Sequence, residues 1–186
     1  MLHFDIDLRY ISANKKINRT VSSTSDRYTQ LILSVKDTIY RLALSLMGSS
    51  VEAEDVVQDI YEKVWRARDK VLSEHYPRAY VCRMTRNLAI DRLRARRVTV
   101  DQDSGQSADG ERDVEITDMA QYTRQVIAQL PERQRVAIEM RDIEGYEIEE
   151  IAEILDCDTA SVRMNLSRAR KRVREEVLKA INYGER

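Results

Sequence analysis

The sequence predicts an all-α protein: two small helical domains joined by a flexible acidic linker. Three observations carry this expectation. Apolar residues recur at helical spacing through most of the 186 residues, whereas alternation with period two is confined to the first eleven. Only 5 Gly and 2 Pro are present, too few for the many tight turns of a sandwich or barrel. One internal stretch, 98–118, holds two of the five glycines and a net charge of −6, with almost no large apolar side chain. Low hydrophobicity with a like-sign charge excess marks such a stretch as a tether.

The elements follow in order. Residues 1–11 alternate Leu2, Phe4, Ile6, Leu8 and Tyr10 with polar residues, the pattern of a strand. No second strand candidate follows, and a lone strand is not stable. Residues 1–24 are therefore expected to form a weakly ordered leader. From Tyr28 onward Leu31, Ile32, Val35, Ile39, Leu42, Ala43 and Leu46 share one helical stripe, with Thr24 or Ser25 as cap and Gly48 as stop. A second helix is expected over 51–69, with Ala53, Val57, Ile60 and Val64 inward. A third starts at Pro77, a favourable first-turn residue, and runs to about Arg97. The first domain thus spans 25–97.

The second domain, 119–182, opens with a helix ending near Gln129. Another runs from Pro131 to about Ile143 and stops at Gly145. A short helix over 147–155, a turn at 156–158 and a longer helix from Thr159 complete it. Short helix, tight turn and long helix form the helix-turn-helix pattern. In this one Ala152 is small enough for close crossing, and Asp158 can cap the final helix.

The formal net charge is −1, which alone argues against a nucleic-acid partner. Its distribution argues the other way. Residues 142–158 hold eight acids and no base, and 161–174 hold six bases and no acid. On the final helix Val162, Leu166, Ala169, Val173 and Val177 form the buried stripe. The opposite face carries Arg163, Met164, Ser167, Arg168, Lys171 and Arg174. A basic face on an amphipathic helix is usually just solvated. Six bases without an acid, directly after a turn and a cap, favour DNA. Arg163, Met164, Ser167 and Arg168 lie nearest the helix start, where base edges are read, and Lys171 and Arg174 suit phosphates.

Several functions are disfavoured. The chain has no apolar run long enough to span a membrane and no secretory leader pattern. Cys82 and Cys157 stand far apart without a neighbouring His, so neither a metal site nor a disulfide framework is expected. No Gly-rich phosphate loop and no paired nucleophile and base are present. The reading is of a non-enzyme without cofactor, in the reducing cytoplasm.

At this point a resemblance becomes specific. The segment LPERQRVAIEMRDIEGYEIEEIAEILDCDTASVRMNLSRARKRVR (130–174) resembles the C-terminal domain of extracytoplasmic-function sigma factors of bacterial RNA polymerase. Leu130, Pro131, Arg135, Glu144, Gly145, Glu150, Ile151, Ala152, Val162, Arg168, Ala169 and Arg170 carry it. The resemblance implies that this domain reads the −35 promoter element. Met164 and Asn165 depart from the family's usual Ser and Arg, which leaves the preferred −35 sequence open.

Residues 52–68, EAEDVVQDIYEKVWRAR, resemble the same family's core-polymerase-binding helix through Ala53, Glu54, Asp55, Val57, Gln58, Trp65 and Arg66. Read from spacing alone, Asp55, Asp59, Glu62 and Arg66 form a polar stripe opposite the apolar one. The resemblance implies a polymerase contact at Asp55, Gln58 and Arg66, and the polar stripe adds Asp59 and Glu62 to the expected contact. Trp65, the one Trp, is read as core.

Residues 76–97 resemble the family's −10 reading and melting segment. Arg83, Arg86, Asn87, Ile90, Arg94 and Arg97 share one helical face, and four arginines on one face suit phosphates. Strand opening needs a pocket that captures an unstacked base. Asn87 matches the family position beside that base, and Tyr80 is a candidate for stacking on one. By the same resemblance the acidic linker threads toward the polymerase cleft, and an anti-sigma protein, often membrane-anchored, regulates the chain.

The expected function is that of a sigma factor. It binds core RNA polymerase, directs it to promoter DNA at −10 and −35, and assists opening. The alternative is a dimeric helix-turn-helix activator or repressor whose first domain dimerises or senses a ligand. The basic face of 78–97, which a dimerisation domain does not need, weighs against it.

Overall fold

The computed structural model describes the backbone of residues 21–100 and 119–184, and the side chains of 24–96 and 119–182. The strand-like segment, most of the expected leader and most of the acidic linker lie outside the described residues. Every described element is helical: α1 (Val21–Met47), α2 (Ser50–Arg66), α3 (Arg68–Ser73), α4 (Pro77–Val100), α5 (Met119–Ala128), α6 (Glu132–Ile138), a π-helical turn (Glu139–Ile143), α7 (Ile148–Leu155) and α8 (Thr159–Gly184).

In α1 the apolar stripe is buried as its period dictates, with Val35, Ile39, Leu42 and Ala43 fully inside. The helix starts at Val21, upstream of the expected caps Thr24 and Ser25, which lie within it. It stops at Gly48, whose φ of +72° is open to glycine without strain and whose N–H donates to the Leu44 carbonyl. Ser49 caps α2 by accepting the Glu52 N–H. Glu52 in the first turn and Lys63 and Arg66 in the last complement the helix dipole.

The helix expected over 51–69 is two helices. The backbone leaves helical geometry at Ala67 (φ −103°, ψ 19°), and α3 resumes at Arg68 and buries Val71. No Gly or Pro marks this break, so the periodicity runs through it unseen. α4 begins at Pro77 as expected and runs to Val100. It buries Ala79, Val81, Cys82, Thr85 and Ala89, and packs on α1 and α2.

The helix expected from Pro131 to Ile143 changes character at Glu139. Its last five residues are π-helical, with hydrogen bonds spanning five residues rather than four, as in Glu144 N–H to the Glu139 carbonyl. Gly145 (φ +74°) then turns the chain, and the Tyr146 N–H closes back on the Met140 carbonyl. α7 is capped by the Glu150 carboxylate, which accepts the Glu147 N–H. It ends at Asp156 in the left-handed region (φ 51°), where a short polar side chain is tolerated. Asp158 accepts the Ser161 N–H at 2.6 Å and starts α8. That interaction holds the Asp158 carboxyl below its ordinary range. α8 continues beyond the expected end near Lys179, to Gly184.

One apolar cluster runs without a break from Leu31 in α1 to Ala169 in α8. α4 packs on α7, and the two halves of the chain share a core rather than standing apart.

Candidate nucleic-acid and polymerase interfaces

The exposed face of α8 follows from its stripe. With Val162, Leu166 and Ala169 buried, Arg163, Met164, Ser167, Arg168, Lys171 and Arg174 must face outward, and all six are exposed. Asp158 and the Thr159 hydroxyl order the first turn, the latter by accepting from Arg163. A groove of about 640 Å³ runs along this face, lined by Arg141, Ile148, Arg163, Leu166, Ser167, Arg170, Lys171 and Arg174. Met164 and Arg168 are exposed on α8 but do not line it. Arg141 and Arg170 are additions that spacing did not select. Arg170 reaches the groove while pairing with Asp142 at 2.6 Å. Arg141 comes from the π-helical turn, and its guanidinium is held by Glu147 and the Tyr146 carbonyl. Arg141 and Arg170 are thus each held at the groove by an acid, Glu147 and Asp142.

The α4 face is arranged differently from the expectation. Arg83 and Arg86 were expected to meet phosphates, but both are occupied inside the chain. Arg83 pairs with Glu153 of α7 at 2.6 Å. Arg86, 7% exposed, pairs with Glu132 of α6 at 2.5 Å and donates to Asn87 Oδ1. Asn87 itself is exposed, beside that guanidinium. Arg94 is exposed and pairs only loosely with Asp91, at 3.7 Å. The Arg97 side chain lies outside the described residues. Tyr80 is partly buried, with Arg83 and Lys70 over its ring, so its face is covered by cations.

On α2, Asp55, Gln58, Glu62 and Arg66 are exposed, with Glu62 and Arg66 paired to each other. Asp59 is turned toward α4, where it accepts from Arg92 at 2.6 Å. The expected polar stripe is therefore an exposed row with one member committed inward. Trp65 is not core. It is 46% exposed, edge-on to Tyr28 with the Arg68 guanidinium over its ring. The break after Arg66 leaves it near a helix end, half open.

Comparison with known proteins decides the assignment. Residues 31–99 match the family described as sigma-70 region 2, and residues 120–173 match sigma-70, region 4. The chain belongs to the sigma-70 family, in its extracytoplasmic-function group. The sigma factor is 25% identical to the ECF RNA polymerase sigma factor SigW of Bacillus subtilis, over 88% of this chain and 95% of that protein. It is 29% identical to the ECF RNA polymerase sigma-E factor of Escherichia coli, over 69% of this chain and 75% of that one. Among solved structures, the sigma factor RpoE of Bartonella quintana, in complex with the anti-sigma factor NepR, superposes with a TM-score of 0.67. It is 26% identical and the match covers 82% of this chain and 97% of that one. The sigma factor is a transcription initiation factor, a family of non-enzymatic proteins. Two sigma regions in one chain do not favour the dimeric regulator.

Proposed function

We propose that this sigma factor recognises promoters through two separate DNA surfaces and holds core RNA polymerase through a third. Arg163, Met164, Ser167 and Arg168 read base edges at −35. Lys171 and Arg174, joined by Arg141, contact the flanking phosphates. The single observation that supports this most strongly is the continuous exposed basic face of α8, next to its groove and free of acids from 161 to 174.

The −10 element is taken by α4. Asn87 borders the captured base, Tyr80 stacks on a neighbouring one, and Arg83, Arg86, Arg94 and Arg97 hold phosphates. Because Arg83 and Arg86 are paired to acids in the second domain, this surface becomes available only when those pairs are released. Asp55, Gln58, Glu62 and Arg66 contact the polymerase, with Asp59 joining them or bracing α4. The chemistry of RNA synthesis belongs to the polymerase, and this chain brings no cofactor. An anti-sigma protein is the regulatory partner, by analogy with the complex of the Bartonella relative. Among the described residues no helix is long and apolar enough to cross a membrane, and the reading places the chain in the cytoplasm beside the polymerase.

Transcription from a promoter library with core polymerase and the full chain tests the reading. The templates transcribed should share two short elements at fixed spacing, and Arg163→Ala should change which −35 sequences succeed. Templates chosen without regard to sequence would overturn it.

A further inference from the structure

We propose that Glu52 and Asp59 of α2 are positioning residues for promoter opening. They clasp Arg96 and Arg92 of α4 and so set where the far half of that helix delivers its arginines to DNA. This rests on the reading that α4 takes the −10 element.

The clasp follows from spacing on the two helices. On α4, Thr85, Ala89, Arg92 and Arg96 are spaced four, three and four apart, so they share one face. Thr85 and Ala89 are fully buried on it. One turn further on, the same face carries arginine instead of an apolar residue. A guanidinium turned toward a neighbouring helix needs an anion there. Glu52 and Asp59 supply it: seven apart, they lie two turns from each other on one side of α2. Arg92 donates to Asp59 at 2.6 Å, and Arg96 donates to both oxygens of Glu52, at 3.4 and 3.5 Å. Ser49 fixes the backbone at Glu52 by accepting its N–H. Both acids are half-buried, whereas the neighbouring Asp55, Gln58, Glu62 and Arg66 are exposed. One polar stripe thus serves two purposes, its edge turned to α4 and the rest open to a partner.

Lever length shows why aim matters. Among the described side chains of α4, none after Ala89 is buried. From Ala89 to Val100 the helix rises about 16 Å, so a tilt of roughly 10° moves its end by about 3 Å. That is the full length of a hydrogen bond to a phosphate oxygen. Arg94, two residues from Arg92, points about 160° away from it, at 100° per residue. The clasped face and the face turned to DNA are therefore nearly opposite, and a shift of α4 at Arg92 is a shift of Arg94. Partly exposed ion pairs add little to folding stability, so the clasp acts on direction rather than on whether the domain folds.

Promoter opening by the full chain with saturating core polymerase reads the clasp. The DNA is a promoter selected by library transcription, and the time course of permanganate-reactive thymines gives the rate. Arg92→Asp and Asp59→Arg should each slow opening by roughly threefold to thirtyfold, the span of coupling between residues in contact. The double variant Asp59→Arg/Arg92→Asp, which restores the pair with reversed charges, should recover the wild-type rate. Glu52→Arg/Arg96→Glu is an independent swap with the same expectation, and it decides if the first double variant folds poorly. Arg92→Asp should bind core polymerase as wild type does and unfold at nearly the same temperature, which separates aim from assembly and from folding. Single variants that open at the wild-type rate would overturn the proposal. So would a folded double variant as slow as Arg92→Asp, which would make Arg92 a direct DNA contact. A double variant as slow as Asp59→Arg, with weakened polymerase binding, would overturn it by making Asp59 a polymerase contact. Failure of the sigma reading shows separately, because wild type with core polymerase would then open no promoter at all.

Discussion

The carboxylate of Glu144 lies 2.5 Å from Nε of Arg41, although 103 residues separate them in the chain. This pair joins the corner before the helix-turn-helix to the first helix of the other domain. The Arg41 guanidinium, together with the Thr38 hydroxyl, holds the Glu144 carboxyl below its ordinary range. A carboxyl with a lowered folded value contributes stability above its unfolded value and loses that contribution as pH falls through the folded one. The contact of this corner with α1 should therefore loosen in acid, below the ordinary carboxylate range. Scattering as a function of pH checks this. Expansion in Glu144→Gln should be less dependent on acid than in wild type.

Glu139 has the opposite sign. Burial is the largest influence on it and pushes its carboxyl up, while the hydrogen bond from Ser45 and the nearby Arg135 pull it down. A raised carboxyl costs stability as pH climbs from its unfolded toward its folded value, and the cost persists above. Glu139→Gln keeps an acceptor for Ser45 and removes the charge. The variant should unfold at higher temperature than wild type at neutral pH, and the difference should shrink in acid. A variant less stable at every pH would mean that the charge is needed for Arg135.

Much of the fold can be read from the sequence because its signals are local. The cap at Asp158, the stop at Gly48, the first-turn proline at Pro77 and the stripe from Leu31 to Leu46 each act within a turn or two. The exposed face of α8 was legible for the same reason. What stayed hidden acts at long range or without a marker residue. The break at Ala67 has no Gly or Pro, so Trp65 reads as core when it is half exposed. The π turn has no composition of its own. The pairing of Arg86 with Glu132 spans 46 residues, and periodicity on α4 cannot distinguish it from a free basic face. The charge blocks bear on one of these contacts only: Glu153, which pairs with Arg83, belongs to the acidic block 142–158, whereas Glu132 lies outside it.

Arg168 separates base reading from general attraction. It is exposed on α8 and does not line the groove. Arg168→Ala should cost about 1–3 kcal/mol of discrimination at one position of the −35 element. Competition binding against single-base variants of the element measures it. Equal weakening on all sequences would make Arg168 a phosphate contact.

Trp65 reports on the polymerase face. It is the only Trp, lies next to Arg66 and is half exposed. Its emission should shift to the blue, and its quenching by acrylamide should fall, when core polymerase binds. Glu62→Lys should weaken this response at a given polymerase concentration. An emission unaltered by saturating polymerase would remove the end of α2 from the interface.

Asn87 is exposed beside Arg86, at the position assigned to base capture. Asn87→Ala should reduce strand opening more than initial promoter binding, as read by open-complex lifetime against fragment affinity. Equal losses in both would make it an ordinary DNA contact.

Permanganate footprinting of a promoter tests the central claim most directly, because permanganate modifies thymines only where strands have separated. Reactive thymines should appear around −10 with core polymerase and this chain together, and with neither alone. Tight binding of the chain to the same DNA without polymerase, and no reactive thymine when polymerase is added, would contradict the account.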